Sequence, residues 1–342
     1  MKMIYKSLLG AAMPLLLSGG VAWANALSVT GKERCDTWTM PTINRPFSPD
    51  KVVFLVLGDH GSGQKPQERV ARGMAKIVKE RENKKGEQVR FVLFLGDNFY
   101  PHGVDSIRDP QWKTTFENMY PHQDFPMPFH AIIGNHDARS NVHAQLEYGL
   151  HHCGSGRWSM ISDQDILEFG GEVDKAPLLR LVTLNSMISV RQQVTFAQCA
   201  LDPNATAQER THCPKHVDQA VWKLVAGHFP LRSSGKHGWS GQSNELLGQL
   251  MPRLKSWKVD GYLAGHDHHQ ELIRQDGEPL LLISGAGGSE KLYEDLNRPV
   301  NGSLYRSFGH YGFALVELTR NKMRVTLHDQ DASPLRTHEV TK

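Results

Sequence analysis

At 342 residues the chain has room for two ordinary domains or one large α/β domain. A hydrophobic share of 39 % against 22 % charged residues is globular, which excludes a disordered chain, a collagen-like repeat and a multi-span membrane protein. The net charge of +3 comes without a long basic run and gives no electrostatic reason to expect nucleic-acid binding.

The first 26 residues have the layout of an export signal. Lys2 and Lys6 flank the start, an apolar stretch runs from Leu8 to Leu17, and Ala24-Asn25-Ala26 supplies an A-x-A cleavage pattern. Pro14 interrupts the stretch, which is also short for a membrane span. Cleavage near Ala26 predicts a secreted or periplasmic protein with a charge close to neutral and no stable membrane association. In such a compartment Cys35, Cys153, Cys199 and Cys213 are expected in disulfides, with four free thiols as the alternative. None forms a C-x-x-C pair. The short polar loop between Cys199 and Cys213 favours that pairing, which leaves Cys35 for Cys153.

Residues 27–50 read as a proline-dotted lead-in, 51–330 as one catalytic domain and 331–342 as a C-terminal tail. Val52 to Leu57 is a continuous apolar run, the pattern of a strand buried on both faces, and it ends at Gly58-Asp59. A helix is predicted from about Gln67 to Asn83. A second buried strand, Val89 to Leu95, ends at Gly96-Asp97. Asp109 and Pro110 form a cap and first turn for a helix toward Met119. Phe129 to Ile133 is a third strand, ending at Gly134-Asn135. Shorter strands follow at Leu178–Leu184, Trp222–Ala226, Gly261–Ala264, Gln270–Arg274, Leu280–Ser284, Gly312–Leu318 and Met323–Leu327. Ser243 is placed to cap a helix to Trp257, kinked at Pro252. Gln198–His216 and Gly287–Ser307 carry no clear pattern. Alternating strands and helices predict an α/β fold with mixed sheets flanked by helices.

The ends of the apolar runs carry the chemistry. They deliver Gly58-Asp59-His60-Gly61, Gly96-Asp97-Asn98-Phe99-Tyr100, Gly134-Asn135-His136-Asp137, Gly227-His228 and Gly265-His266-Asp267-His268. Ligands of open α/β sheets bind where strands end. One Gly-Asp or Gly-His is ordinary turn chemistry. Five in order, each after an apolar run, are not. Together they offer carboxylate, amide, phenol and imidazole donors and no thiolate, which suits hard or borderline first-row metals. Their number exceeds one ion's needs and matches two ions about 3.5–4 Å apart, an arrangement used for displacement at phosphorus. The content of 18 histidines points the same way.

This series resembles the calcineurin-like metallophosphoesterases, and Tyr100 in the second motif narrows the resemblance to the purple acid phosphatases. Val225-Ala226-Gly227-His228-Phe229-Pro230, Lys236-His237-Gly238, Ile283-Ser284-Gly285-Ala286-Gly287 and Tyr311-Gly312-Phe313-Ala314 are similar to the small, single-domain, tartrate-resistant type. The resemblance implies an α-β-β-α sandwich of two mixed sheets. It implies that Asp59, Asp97, Tyr100 and His268 hold Fe(III), that Asp97 bridges, and that Asn135, His228 and His266 complete a divalent site for Fe(II), Zn or Mn. Where many relatives have a histidine ligand in the first motif this chain has Gly61, and Tyr100 takes its place. His60, next to Asp59, is expected to point elsewhere. His136 is expected to face the phosphate and protonate the leaving group, with His237 assisting. Asp137, Asp267 and His269, beside the ligands, are expected to orient them or to face solvent. His122, His151, His152, His212 and His216 are expected at the surface. Trp38, Trp112, Trp158 and Trp239 are expected in packing or at the rim.

The implied function is an exported acid phosphatase that hydrolyses phosphate monoesters by in-line attack of a metal-held hydroxide. Its substrates would be small phosphate esters or a phosphoprotein, with no nucleic acid, and the protein is expected to be a monomer. The alternatives are a phosphodiesterase or nucleotidase on the same scaffold, and a redox-active di-iron protein acting in peroxide chemistry.

Overall fold

The structure, a computed structural model, describes residues 35–38, 47–84, 86–172, 176–210 and 219–342. In chain order its elements are β1 (Lys51–Leu57), α1 (Lys65–Glu82), β2 (Phe91–Phe94), β3 (Phe129–Ala131), α2 (Val142–Leu150), β4 (Trp158–Ser159), β5 (Asp165–Phe169), β6 (Leu179–Thr183), α3 (Val190–Leu201), β7 (Trp222–Ala226), α4 (Gly241–Gln249), α5 (Met251–Ser256), β8 (Gly261–Ala264), β9 (Gln270–Ile273), β10 (Leu280–Ser284), β11 (Ser303–Ser307), β12 (Gly312–Thr319), β13 (Lys322–Asp329) and β14 (Pro334–Thr341).

Two seven-stranded mixed sheets result, ordered β14-β13-β12-β1-β2-β3-β4 and β11-β9-β10-β8-β7-β6-β5. β1, β2, β3 and β4 run parallel, as do β6, β7, β8 and β10. Alternation along β1 shows how the layers stack. Val52, Phe54 and Val56 enter the core shared with Leu181, Leu224 and Leu282 of the other sheet. Val53, Leu55 and Leu57 face the outer layer with Val70, Met74 and Ile77 of α1. Both faces are dry, so the strand reads as an unbroken apolar run. α3, α4 and α5 cover the second sheet from outside. This is the α-β-β-α sandwich that the motifs imply.

Several expectations are corrected. Residues 334–341 are not a tail: they form β14, paired along its length with β13, and only its half-exposed edge position hides the signal. The helix after Asp109 is a short π-helix, Trp112–Glu117, in which the Asn118 N–H donates to the Lys113 carbonyl. Ser240, not Ser243, is the cap of α4: its backbone is extended and its Oγ accepts from the Ser243 N–H at 3.1 Å. The single helix expected to Trp257 is two, α4 and α5, divided at Leu250 with Pro252 in the first turn of α5, where a missing N–H does no harm. The patternless stretches hold the end of α3 and all of β11. α2, α3, β4 and β5 were not foreseen.

Cys35 and Cys153 are joined by the expected disulfide. The Cys199–Cys213 pairing lies partly outside the described residues, as do the export signal and most of the lead-in. Close to the first bridge, Glu117 accepts from the Tyr148 hydroxyl at 3.0 Å and the Ser155 N–H at 2.9 Å, and pairs with Arg157 at 3.0 Å. Both charges are buried, so each depends on the other. Glu117→Ala should lower stability by about 3–5 kcal/mol, the scale for orphaning a buried charge, seen as a lower midpoint in urea unfolding. An unchanged midpoint would show that the pair carries no weight.

Candidate metal centre

The carboxyl ends of the two parallel strand sets meet edge to edge. The Gly58 N–H donates to Ser284 O at 2.7 Å and the Gly287 N–H to Gly58 O at 3.1 Å. A side chain on Gly265 would collide with the Asp59 carboxylate, at 2.5 Å. At this junction Asp59, Asp97 and His266 adopt left-handed backbone, with φ of 56°, 53° and 66°. Non-glycine residues seldom do so, and three together at strand ends mark a place where strain serves a site.

Backbone donors hold the two carboxylates. The His266 N–H donates to Asp59 Oδ2 at 2.7 Å, and the His136 N–H to Asp97 Oδ1 at 2.8 Å. Their other oxygens face Tyr100, whose hydroxyl lies 3.4 Å from Asp59 Oδ1, 3.1 Å from Asp97 Oδ2 and 3.3 Å from His268 Nε2. His268 Nδ1 sits 2.6 Å from Lys291 O. A carbonyl only accepts, so that nitrogen carries the proton and Nε2 turns its lone pair inward. His228 repeats the device: Nδ1 donates to Leu95 O at 2.8 Å, and Nε2 lies 3.1 Å from Asn135 Oδ1 and 3.5 Å from Asp97 Oδ1. The His266 ring is 5.0 Å from that of His228. The structure therefore brings together all seven expected ligands, with Asp97 between the two groups.

Electrostatics favour a cation here. Burial pushes the Asp59 carboxyl above its usual range, His268 and His228 oppose the shift, and Asp97 adds to it. Burial, then Asp59 and Asp97, push the Tyr100 hydroxyl well up. Burial pulls His266 down, with His228 and His237 adding to it. At His228 burial also pulls down, but Asp97 and Asp59 outweigh it and the net shift is upward. Buried anions thus face buried lone pairs, and bound cations relieve both penalties. Asp59, Asp97 and His228 offer ligand atoms within 4.8 Å of one another. The all-oxygen and nitrogen donor set fits the implied metals.

Gly61 explains why the tyrosine is needed. A Cβ there would stand 2.0 Å from the Asn98 carbonyl oxygen, so no histidine fits. The Tyr100 N–H instead donates to Gly61 O at 2.8 Å, and the second loop lies over the first.

Of the remaining residues, His60 points away from the centre. Its ring packs 3.8 Å from Phe94, and burial lowers its pKa to about 3. Asp137 accepts from the N–H groups of Gly134 (2.8 Å), Asn98 (3.1 Å) and Phe99 (3.3 Å), and from Gln145 Nε2 at 3.0 Å. It staples the second loop to the third. His269 contacts Glu271 at 3.1 Å and no ligand. Asp267 contacts His237, also not a ligand. His136 packs against Tyr100 at 4.4 Å, and its Nδ1 donates to Pro101 O at 2.8 Å. His237 stacks on His266 at 4.3 Å. His151 and His152 are exposed and His122 is half-buried; His212 and His216 lie outside the described residues. Trp112 and Trp158 are core, and Trp38 and Trp239 are exposed. Sequence reading missed Tyr293, stacked 4.5 Å from His268, and Ser186, whose Oγ accepts the His228 N–H at 2.8 Å. Neither adjoins a strand-end glycine motif, so nothing in the local pattern singled them out.

The sequence pattern of the family described as calcineurin-like phosphoesterase matches residues 52–270. Purple acid phosphatase 4 of Arabidopsis thaliana is 30 % identical, over 89 % of this chain and 88 % of its own length. Tartrate-resistant acid phosphatase type 5 of Sus scrofa is 29 % identical, over 85 % and 92 %. Two solved structures share the fold. GAP50, the anchor in the inner membrane complex of Plasmodium, matches with a TM-score of 0.70 at 23 % identity, covering 85 % of this chain and 89 % of that one. Purple acid phosphatase PPD1 of yellow lupin (Lupinus luteus) matches with a TM-score of 0.61 at 12 % identity, over 87 % and 55 %. With strand-end donors gathered at one junction and relatives aligned along nearly its whole length, the chain belongs to the calcineurin-like phosphoesterases and, among them, to the purple acid phosphatases.

Proposed function

We propose that this dinuclear-metal phosphoesterase is an exported acid phosphatase acting on phosphate monoesters. The observation that carries the reading is the Tyr100 hydroxyl, within 3.1–3.4 Å of Asp97, His268 and Asp59. Phenolate is a hard donor and suits a trivalent ion. Asp59, Asp97, Tyr100 and His268 would hold Fe(III), and Asn135, His228 and His266, with Asp97 shared, a divalent Fe, Zn or Mn. Bound there, the pair supplies Lewis acidity to phosphoryl oxygens and acidifies water enough for hydrolysis below neutral pH.

The side chains around the centre handle the leaving group. His136 is held by its backbone N–H on Asp97 and its Nδ1 on Pro101 O, which leaves Nε2 to deliver a proton to the departing alkoxide. His237, stacked on His266, assists. The Cys35–Cys153 disulfide supports an oxidising compartment. Among the described residues no helix is long and apolar enough to cross a membrane. The reading extends to small phosphate esters or a phosphoprotein as substrate and to a monomer.

If Tyr100 binds Fe(III), the oxidised protein shows a broad visible charge-transfer band that Tyr100→Phe abolishes. A colourless, fully active preparation with zinc and no iron would overturn the ferric assignment.

Asn135 and His136 divide ligation from proton delivery. Asn135→Ala should lower occupancy of the divalent site and activity together, with partial rescue by excess metal. His136→Ala should retain both ions yet slow alkyl esters by about 10²-fold or more, and nitrophenyl esters less, because their phenolates leave unaided. Loss of a metal from His136→Ala would remove the acid role.

Export predicts a mature N-terminus near Leu27 and no free thiols. Intact-mass measurement after alkylation without reduction decides this, and four alkylated cysteines would contradict it.

A further inference from the structure

The loop after β7 carries two cations that the fold treats differently. Arg232 is bound to Glu278 at 3.0 Å. Lys236 is exposed and, among the described residues, has no ion-pair partner. An unpaired surface lysine is ordinary, but this one has a fixed place beside the metal centre. The Ser234 N–H and hydroxyl donate to Glu271 at 2.8 and 2.5 Å, and the His237 N–H donates to Asp267 Oδ1 at 2.9 Å. A side chain on Gly235 would stand 2.7 Å from the Asp267 carboxyl carbon. The backbone on both sides of Lys236 is therefore pinned.

The side chain reaches toward the centre. Its Nζ lies 5.7 Å from the centroid of the Tyr293 ring. That ring stacks on His268 at 4.5 Å and meets the His237 ring edge-on at 5.5 Å. Attraction to the ring face keeps the ammonium near Tyr293, while its N–H donors stay open to a ligand. The charge is thus one ring removed from a metal ligand and next in sequence to the histidine that assists the leaving group. Tyr293, not Lys236, occupies the space against His268, so the lysine is not placed for the phosphoryl oxygens at the metals. What comes within its reach is the alcohol part of an ester that departs past His237.

We propose that Lys236 is a specificity-determining residue: it selects phosphate monoesters whose alcohol carries a second anionic group, a carboxylate or another phosphate, several bonds from the scissile ester. The inference rests on the phosphomonoesterase reading. A pinned cation with no acid to neutralise it attracts such a group and discriminates against esters that lack it. The contact is made in the ground state and the transition state alike, so it lowers KM and changes kcat little.

The test compares three esters of one chain on the metal-loaded, full-length protein: hexanediol monophosphate, its analogue ending in a carboxylate, and hexanediol bisphosphate, counted per ester bond. The native protein is measured first. Release of phosphate from none of them would overturn the functional reading and this inference together, whereas turnover of all three without preference overturns the inference alone. At low ionic strength kcat/KM should favour an anionic ester about two- to fivefold, the scale of an exposed ion pair, chiefly through KM. Whichever anion gains more is the one the site reads. Added salt should erode the preference. Lys236→Gln should bring the ratio close to one, Lys236→Glu should reverse it, and Lys236→Arg should retain it. A ratio that survives in Lys236→Gln, or equal losses on all three esters, would overturn the proposal.

Discussion

Two buried carboxylates set side by side are the constraint on which this structure depends. Asp59 and Asp97 are essentially sealed from solvent, and like charges in a dry site repel and resist ionising. The fold spends backbone strain and hydrogen bonds to keep them there. Each sits at the end of a strand in left-handed conformation, and each takes an N–H from a histidine of another loop, Asp97 from His136 and Asp59 from His266. Balancing the charge falls to the cations that these carboxylates, together with the inward donors of Tyr100, His228 and His268, attract.

The second sheet exists, from the site's point of view, to bring imidazoles to those carboxylates. β7 and β8 are parallel neighbours, so His228 and His266 leave the sheet at one edge. The junction with β1 is closed by direct backbone bonding to the end of β10. Because carbonyl groups fix Nδ1 of His228 and His268, tautomer and ring direction are set before any metal arrives. Preorganisation of this kind lowers the reorganisation needed when charge develops at phosphorus.

Around this frame the polar network is graded by what each part must hold. Asp137 fastens the loops of β2 and β3 to each other, so Asn135 and Tyr100 share one rigid support. Glu271 and Asp267 fasten the loop after β7, where His237 stacks on the ring of His266. The exposed Trp239 follows on the same turn.

The buried strands and the donors that follow them were legible in the chain alone, and the resemblance supplied the expected ligand set. A strand covered on both faces must be apolar throughout, and a glycine-polar step at its end is short-range information that survives in the chain. Hence Asp59, Asp97, Asn135, His228 and His266 stood out as donors at strand ends, and Tyr100 and His268 by their place in the same motifs. The rest depends on residues far apart in the chain. The exclusion of a side chain at Gly61 comes from the Asn98 carbonyl. The stacking of Tyr293 on His268 belongs to a segment without periodicity. The edge strand β14 is half-exposed, so its pairing with β13 left little hydrophobic trace. The turn of Asp267 toward His237 rather than toward its neighbours in sequence is set by the loop after β7 folding down against β9. Contacts of that kind are made when the sheets meet, and a residue's own neighbours in sequence carry no record of them.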